Sequence, residues 1–190
     1  MSLDKWRLGL YTLFSNLLLV DPEPGLLAKI KGVLEEAGGL FSEMAKSIED
    51  NEESYLALRV DFTRTLLLYV HPYESVFRDP SGLLCGDVSI EVYKFYRSAG
   101  FEPDLASARV RCGDHLGIEM SFMAKLVEVG DTRLQVKFME EHLARWGPLA
   151  GLAISEVAST KFYKLLGLSI AHFILSDYEY LKGGVLEAQG

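Results

Sequence analysis

The sequence predicts an all-α protein, a single-domain bundle of about seven to nine helices. Three observations support this fold class. Apolar residues recur with helical spacing in every long segment, the breaks carry capping or helix-ending residues, and no segment keeps the alternation of a strand. With 190 residues, the chain can bury a core without disulfides or a metal. We therefore expect one domain over residues 1–190, with a frayed tail over about 183–190.

Four helices are expected in the first part of the chain: about 3–20, Pro24–Ala37, a short piece Leu40–Ile48, and about 52–69. Gly38 and Gly39 end the second helix, and Pro72 stops the fourth. The apolar stripe of the first helix comprises Leu3, Leu10, Phe14, Leu17 and Leu18. The apolar face of the fourth comprises Tyr55, Leu58, Phe62, Leu66 and Tyr69.

Two long loops are expected in the second part, His71–Gly86 and Phe101–Gly113. Capping residues predict the helices around them. Asp87 or Ser89 begins a helix that ends at Gly100, and Asp114 caps a helix over about 115–129 that Gly130 ends. Asp131 caps a further helix that ends at Trp146-Gly147, and Pro148 begins the next one. The last helix, about 160–181, is expected to bury Phe162, Leu165, Leu166, Phe173 and Ile174. Loops this long are uncommon in compact bundles and often carry function, so we expect the two loops to lie close together, with Asp114 and His115 at their junction.

Charge and composition exclude several classes of protein. The net charge of −8 argues against a nucleic-acid ligand, whose phosphates need Lys and Arg, and it suits a basic partner peptide. Leu8–Val20 is interrupted by polar residues and lacks a cleavage site, so it is expected to be an amphipathic helix and not a signal peptide. No run reaches about 18 apolar residues, so no membrane insertion is expected. Cys85 and Cys112 form no CxxC and are expected to be reduced thiols, with a bond between them left open.

Catalytic motifs are absent from the sequence. No His follows an acidic residue by three positions, no phosphate-binding glycine loop occurs, and no Gly-x-Ser-x-Gly elbow is found. His115 and Glu119 stand one turn apart, but two ligands do not make a metal site. We therefore expect no catalytic residues, no metal and no cofactor, and a protein that works by binding rather than as an enzyme.

Several segments stand out against the bundle, and their order is distinctive. They are Pro72-Tyr73-Glu74-Ser75-Val76-Phe77, Gly100-Phe101, the run Asp114-His115-Leu116-Gly117-Ile118-Glu119 with Phe122-Met123, and then Phe138, His142-Leu143, Trp146 and Phe162–Leu166. In this order they resemble the TorD/DmsD family of cytoplasmic chaperones, which mature molybdenum-cofactor oxidoreductases. The resemblance covers about residues 6–180. The chain departs from it at Gly113, where the family usually has Pro, and at Ser121, where it usually has Glu.

The resemblance implies a cytoplasmic chaperone of TorD-like fold. Its partners would be the catalytic subunit of a client molybdoenzyme and the N-terminal leader of that subunit, often a twin-arginine signal. Binding would assist folding and cofactor insertion and hold back export. A nitrate-reductase-type assembly chaperone without an export role is one alternative, and a helical small-molecule-binding or regulatory domain is another. We expect a monomer, with a swapped dimer as the alternative.

The expected leader-binding residues are Tyr73, Glu74, Ser75, Phe77, Asp114, His115 and Glu119. A disordered, amphipathic leader suits a helical groove, and its arginines favour acidic groups such as Glu74, Asp114 and Glu119, with Asp61 and Asp87 as weaker candidates. A structural role stays open for each residue, since Asp114 can cap a helix and His115 can pack under a loop. Phe122 and Met123 are expected in the core.

Overall fold

The computed structural model describes residues 2–187, and within that range the protein is helical. Its α-helices are α1 Leu3–Leu19, α2 Pro24–Ala37, α3 Gly39–Lys46, α4 Glu52–Phe62, α5 Glu74–Arg78, α6 Asp87–Ser98, α7 Leu105–Ala108, α8 Leu116–Val129, α9 Thr132–Phe138, α10 Ala144–Val157 and α11 Lys161–Glu187. Two π-helical segments, Thr63–Tyr69 and Met139–Leu143, extend α4 and join α9 to α10. Apart from an isolated bridge between Tyr73 and His115, this range contains no β-structure, which confirms the all-α prediction.

Contacts along the chain divide it into two compact units. The first contains the described residues up to Val20, Pro72–Pro148 and those from Phe173 onward, and the second contains Asp21–His71 and Leu149–His172. Both are discontinuous in sequence, and α10 and α11 each contribute residues to both. None of the helices described in residues 2–187 is both long and apolar enough to cross a bilayer.

In the first unit, α1 packs closely against α8. A side chain at Gly117 would place its Cβ 2.5 Å from Cγ of Leu19, so only glycine allows this approach. The hydroxyl of Ser15 donates to the Gly117 carbonyl at 2.8 Å. At the same helix α1, buried Arg7 donates to the Asp177 carboxylate through Nε at 2.5 Å and Nη2 at 3.0 Å. The buried apolar residues of α1 and α8 include Leu10, Tyr11, Phe14, Leu17, Leu18, Leu116 and Met120. Phe173 of α11 contacts the rings of Tyr11 and Phe14.

In the second unit, a buried carboxylate organises the start of α11. Asp61 accepts hydrogen bonds from the backbone N–H groups of Ser159 and Thr160, at 3.0 and 2.7 Å, just before α11 begins. The helices α10 and α11 cross where both carry glycine, because a Cβ at Gly151 would lie 2.6 Å from the Gly167 carbonyl oxygen. The sequence of this unit therefore sets the helix start and the crossing point by specific polar and small residues.

The structure corrects several predicted boundaries. The two expected loops each contain a short helix, α5 and α7, and neither Asp87 nor Ser89 is the N-cap of α6, which is Gly86. The helix expected to end at Trp146-Gly147 continues, since Pro148 lies inside α10. Residues 2–187 thus contain ten continuous helices, one more than the upper end of the expected range of about seven to nine. The helices α5 and α7 have only one or two turns, which is too short for the sequence to show helical periodicity. Pro148 can lie inside α10 because a proline destabilises a helix by about 3 kcal/mol but does not exclude it.

Three further expectations change. Tyr69 was placed on the buried face of its helix but is exposed, because it ends the π-helical segment Thr63–Tyr69, within which residues no longer follow an α-helical register. Leu3, at the first turn of α1, is also exposed. The last helix runs to Glu187 through Gly183 and Gly184, which lower helix stability by only about 1 kcal/mol each. The rest of the expected tail, 188–190, lies outside the described residues.

Candidate functional site

The two segments expected to be loops lie side by side in the first unit, as predicted. The N–H of Glu74 donates to the carbonyl of Asp114, and the N–H of Leu116 donates to the carbonyl of Pro72, both at 2.8 Å. A disulfide joins Cys85 to Cys112 across the same region. We call this region, formed by residues 72–86 and 111–116, the loop junction.

The disulfide corrects the expectation of two reduced thiols. Cys85 and Cys112 are 27 residues apart in sequence, but their Cα atoms are 5.7 Å apart, within the usual range for a bonded pair. Cys112 is buried and Cys85 exposed. Sequence spacing could not show this, because the proximity is a product of the hydrogen bonds that hold the two segments together.

Asp114 is not the N-cap that the sequence predicted. Its side chain is fully buried, and its two oxygens accept hydrogen bonds from the backbone N–H of Ser75 and from the hydroxyl of Ser89, both at 2.8 Å. The N-cap of α8 is His115, whose Nδ1 accepts the N–H of Gly117 at 3.0 Å. Asp114 therefore ties together α5, α6 and the segment before α8.

His115 is buried and electrically neutral near pH 7. Burial lowers the pKa of its imidazole from 6.5 to about 3. Because Nδ1 accepts a hydrogen bond, the proton of the neutral ring is on Nε2. The edge of the ring contacts Tyr73, with centroids 4.8 Å apart. His115 thus acts as a cap and a packing surface in this structure.

Glu74 is the centre of a second buried polar group. It forms an ion pair with Arg78 one turn along α5, and its Oε2 lies 3.0 Å from Nδ1 of His142. Burial, followed by the charge of Arg78, lowers the pKa of His142 to about 4, so the neutral ring donates from Nδ1 to Glu74. Arg78 also donates to the Glu141 carbonyl at 2.9 Å.

Glu119 is buried one turn into α8. Its Oε2 accepts the indole N–H of Trp146 at 3.1 Å, and its Oε1 has no hydrogen-bond partner within residues 2–187. Burial, and then the charge of Asp114, raise the pKa of Glu119 well above its ordinary value. Both effects favour the neutral acid, which is a poor partner for an arginine. The ring of Phe77 also packs against Trp146, with ring centroids 5.5 Å apart.

The seven residues expected to bind a leader therefore lie on one part of the first unit but differ in exposure. Five are buried: Glu74, Ser75, Asp114, His115 and Glu119. Tyr73 and Phe77 are the two that keep partly exposed surfaces. Of the acids considered for leader arginines, Asp61 is buried as well and only Asp87 is exposed. The polar residues build the base of the junction, and the aromatic residues form its accessible side.

Sequence reasoning missed four residues that complete this arrangement. Ser89 was considered only as a cap, and His142 and Trp146 only as markers of a resemblance. In the structure Ser89 donates to Asp114, His142 to Glu74 and Trp146 to Glu119. Arg78 was not considered, although Glu74 and Arg78 have the i, i+4 spacing typical of a helical ion pair. Within residues 2–187, no three His, Cys, Asp or Glu side chains are grouped so that they could hold a metal ion.

Comparison with known proteins relates this chain to a family of known proteins. Residues 31–150, which is 120 of 190, match the family model described as "Nitrate reductase delta subunit". "Chaperone protein TorD" of Salmonella bongori (strain ATCC 43975 / DSM 13772 / NCTC 12419) is 26% identical over 87 residues, which is 45% of this chain and 42% of that protein. The chain is thus aligned to less than half of the length of this relative. Because the family model covers more than half of the chain and includes the whole loop junction, the chain belongs to the nitrate reductase delta subunit family, that of the TorD/DmsD-type chaperones.

Proposed function

We propose that this protein is a cytoplasmic chaperone for a molybdenum-cofactor oxidoreductase. It binds the N-terminal leader of the client's catalytic subunit, assists folding and cofactor insertion, and holds back export until the client is mature. It acts by binding, without catalysis of its own. The observation that carries this proposal is the family match, which extends across every residue of the loop junction.

Partly exposed aromatic rings support the placement of the leader at the loop junction. Tyr73 immediately precedes α5 and Phe77 lies within it, and each ring contacts a buried side chain, His115 and Trp146 respectively. Rigid aromatic side chains contribute large contact areas at small entropic cost, as binding surfaces require. The apolar residues of a leader helix therefore pack on Tyr73 and Phe77, while the buried acids keep these rings in position.

The arginines of a leader need a carboxylate that is not already engaged. Asp114 and Glu74 are enclosed and bonded within the protein, and Glu119 favours its neutral form. Asp87, at the first turn of α6, is exposed. We therefore assign the arginine contact to Asp87, while Asp114, Glu74 and Glu119 position the junction.

Calorimetric titration with a synthetic twin-arginine leader peptide from the catalytic subunit of a molybdoenzyme tests the proposal. Tyr73→Ala and Phe77→Ala should each weaken binding about tenfold or more, as expected for aromatic residues at the centre of an interface. Asp87→Asn should weaken it less and reduce its dependence on salt. Tyr69→Ala, at an exposed tyrosine of the second unit, is the matched control. If the parent shows no binding heat at any ionic strength, leader binding is wrong.

A nitrate-reductase assembly chaperone without an export role is the second candidate. The description of the matching family favours it. The two functions differ in the peptide that binds. A leader with its two arginines replaced by lysine or glutamine should bind markedly more weakly under the export proposal. Under the alternative, a client N-terminus without paired arginines binds equally well.

A further inference from the structure

A polar pocket of about 420 Å³ lies in the first unit, and His142 is one of its lining residues. One wall of the pocket is α6, which contributes Glu91, Lys94, Phe95 and Ser98, spaced about one helical turn apart. The other wall is the continuous helix from α9 to α10, which contributes Lys137, Glu141, His142 and Arg145. Arg78 of α5 also lines the pocket. Side chains three or four residues apart share one face of a helix. The two walls therefore present their polar faces to each other.

Cations outnumber carboxylates in this pocket. Four cationic residues, Arg78, Lys94, Lys137 and Arg145, face two acidic ones, Glu91 and Glu141. This excess stands out in a chain whose net charge is −8. A concave group of like charges in an oppositely charged protein is a local attractor for a counter-ion.

Two of these cations are not neutralised within the protein. Lys137 lies 3.9 Å from a carboxylate oxygen of Glu141, and Arg78 is paired with Glu74. The side chains of Lys94 and Arg145 form no ion pair and no hydrogen bond with any group in residues 2–187. Their donors are therefore available to a ligand.

Arg145 is also close enough to Arg78 for the two charges to repel each other. Burial, and then the charge of Arg145, lower the pKa of Arg78. A guanidinium offers a planar set of donors that matches phosphate and carboxylate oxygens. An anion between Arg78 and Arg145 would remove the repulsion and satisfy the free donors of Arg145. Phe95 and His142, both buried, also line the pocket.

We propose, independently of leader binding, that this pocket is a site for a small multivalent oxyanion, bearing phosphate or carboxylate groups, which is held by Arg78, Lys94 and Arg145. Its volume lies within the range of about 300–1,000 Å³ typical of small-ligand sites. An extended acidic peptide fits less well. It would have to pass Glu91 and Glu141 at the pocket and then cross a surface of a protein that is negatively charged overall.

Titration calorimetry with two probes, inorganic pyrophosphate and citrate, tests the site at low salt, where the screening length exceeds about 10 Å. The parent should bind at least one probe in a saturable manner. Arg145→Gln should weaken that binding about tenfold or more, and Lys94→Gln less, because a charge-assisted hydrogen bond is lost. Arg133→Gln is the matched control, since Arg133 is an exposed arginine of α9 that does not line the pocket. It should change affinity by less than about twofold.

The outcomes separate the possible ligands. Pyrophosphate binding alone assigns a phosphate ligand, citrate binding alone assigns a polycarboxylate, and binding of both supports the shared site. Absence of saturable binding of either probe below about 10 mM overturns the proposal, and so does equal weakening by Arg145→Gln and Arg133→Gln. Tighter binding of an Asp/Glu-rich decapeptide, also lost in Arg145→Gln, would replace the small ligand with a peptide. Since Arg145→Gln should leave leader titration unchanged, failure here is distinguishable from failure of the chaperone proposal.

Discussion

Replacing Asp114 by alanine would test whether the carboxylate at the loop junction is a structural element. The side chain is fully buried and accepts the N–H of Ser75 and the hydroxyl of Ser89. Alanine leaves both donors without an acceptor, and each buried unsatisfied donor costs about 1–3 kcal/mol. The hydroxyl can rotate towards another acceptor, but the backbone N–H cannot. We expect the free energy of unfolding of the first unit to fall by about 2–5 kcal/mol.

Asp114→Asn should give an intermediate loss. The amide oxygen can still accept the N–H of Ser75, and the amide nitrogen can donate to the hydroxyl oxygen of Ser89. What disappears is the charge on the acceptor, and charge-assisted hydrogen bonds are roughly twice as strong as neutral ones. We expect a loss of about 1–2 kcal/mol. An N-cap role would instead predict almost no loss, because asparagine is an equally good cap.

Urea unfolding followed by tryptophan fluorescence suits this measurement. Both tryptophans of the chain, Trp6 and Trp146, belong to the first unit. Asp104→Ala is a matched control, because Asp104 also accepts one backbone N–H and one hydroxyl, both from Ser107, but is exposed. It should lose less stability than Asp114→Ala. If Asp114→Ala stays within about 1 kcal/mol of the parent, or matches Asp104→Ala, the structural reading of Asp114 is refuted.

Three other expectations follow from the same structure. Gly151→Ala should destabilise the second unit by about 1–3 kcal/mol in circular-dichroism melts, because the new Cβ would clash with backbone atoms. Gly32→Ala, in open space within α2, should instead stabilise the protein by up to about 1 kcal/mol. Equal effects of the two substitutions would contradict this prediction. Cys85→Ser should cost about 3–4 kcal/mol in oxidising buffer, and the reduced parent should match the variant. The pKa values of His115 and His142 are lowered to about 3 and about 4, so the unfolded chain binds protons more readily than the folded protein does. The free energy of unfolding should therefore fall as pH falls from about 6.5 towards 4, by up to about 1.4 kcal/mol per pH unit for each ring. Urea midpoints at pH 7 and 5 should therefore differ less in a variant with glutamine at both positions; an unchanged difference would refute this.

The helices were predictable where local chemistry determines them. Pro24, the Gly38-Gly39 pair and the αL glycine Gly130 set helix ends through backbone preferences that act within a few residues. The π-helical segments were not predictable in this way. The shift from i→i−4 to i→i−5 hydrogen bonding at Thr63–Tyr69 moved Tyr69 from the expected buried face to the surface.

The location of the candidate site was predictable, but the exposure of its residues was not. Long irregular segments and the Asp114-His115 pair pointed to the junction, and the hydrogen bond from the N–H of Glu74 to the carbonyl of Asp114 shows that the two segments meet there. Leader binding at this place stays a prediction. Polar residues in such segments suggest a binding surface if they face solvent. Whether they do is decided by partners distant in sequence, such as Ser89 for Asp114. The sequence alone therefore does not show whether these polar residues are buried.

The motif that carried the resemblance has a physical explanation of its own. Pro72 and Glu74 pair with Leu116 and Asp114 through the backbone, and the carboxylate of Asp114 accepts the N–H of Ser75. The two motif segments are therefore the two sides of one hydrogen-bonded junction, and each requires the other. A sequence that preserves both preserves this architecture, whichever client it binds. Differences between clients should then lie in the exposed neighbours, beginning with the side chains that surround Tyr73 and Phe77.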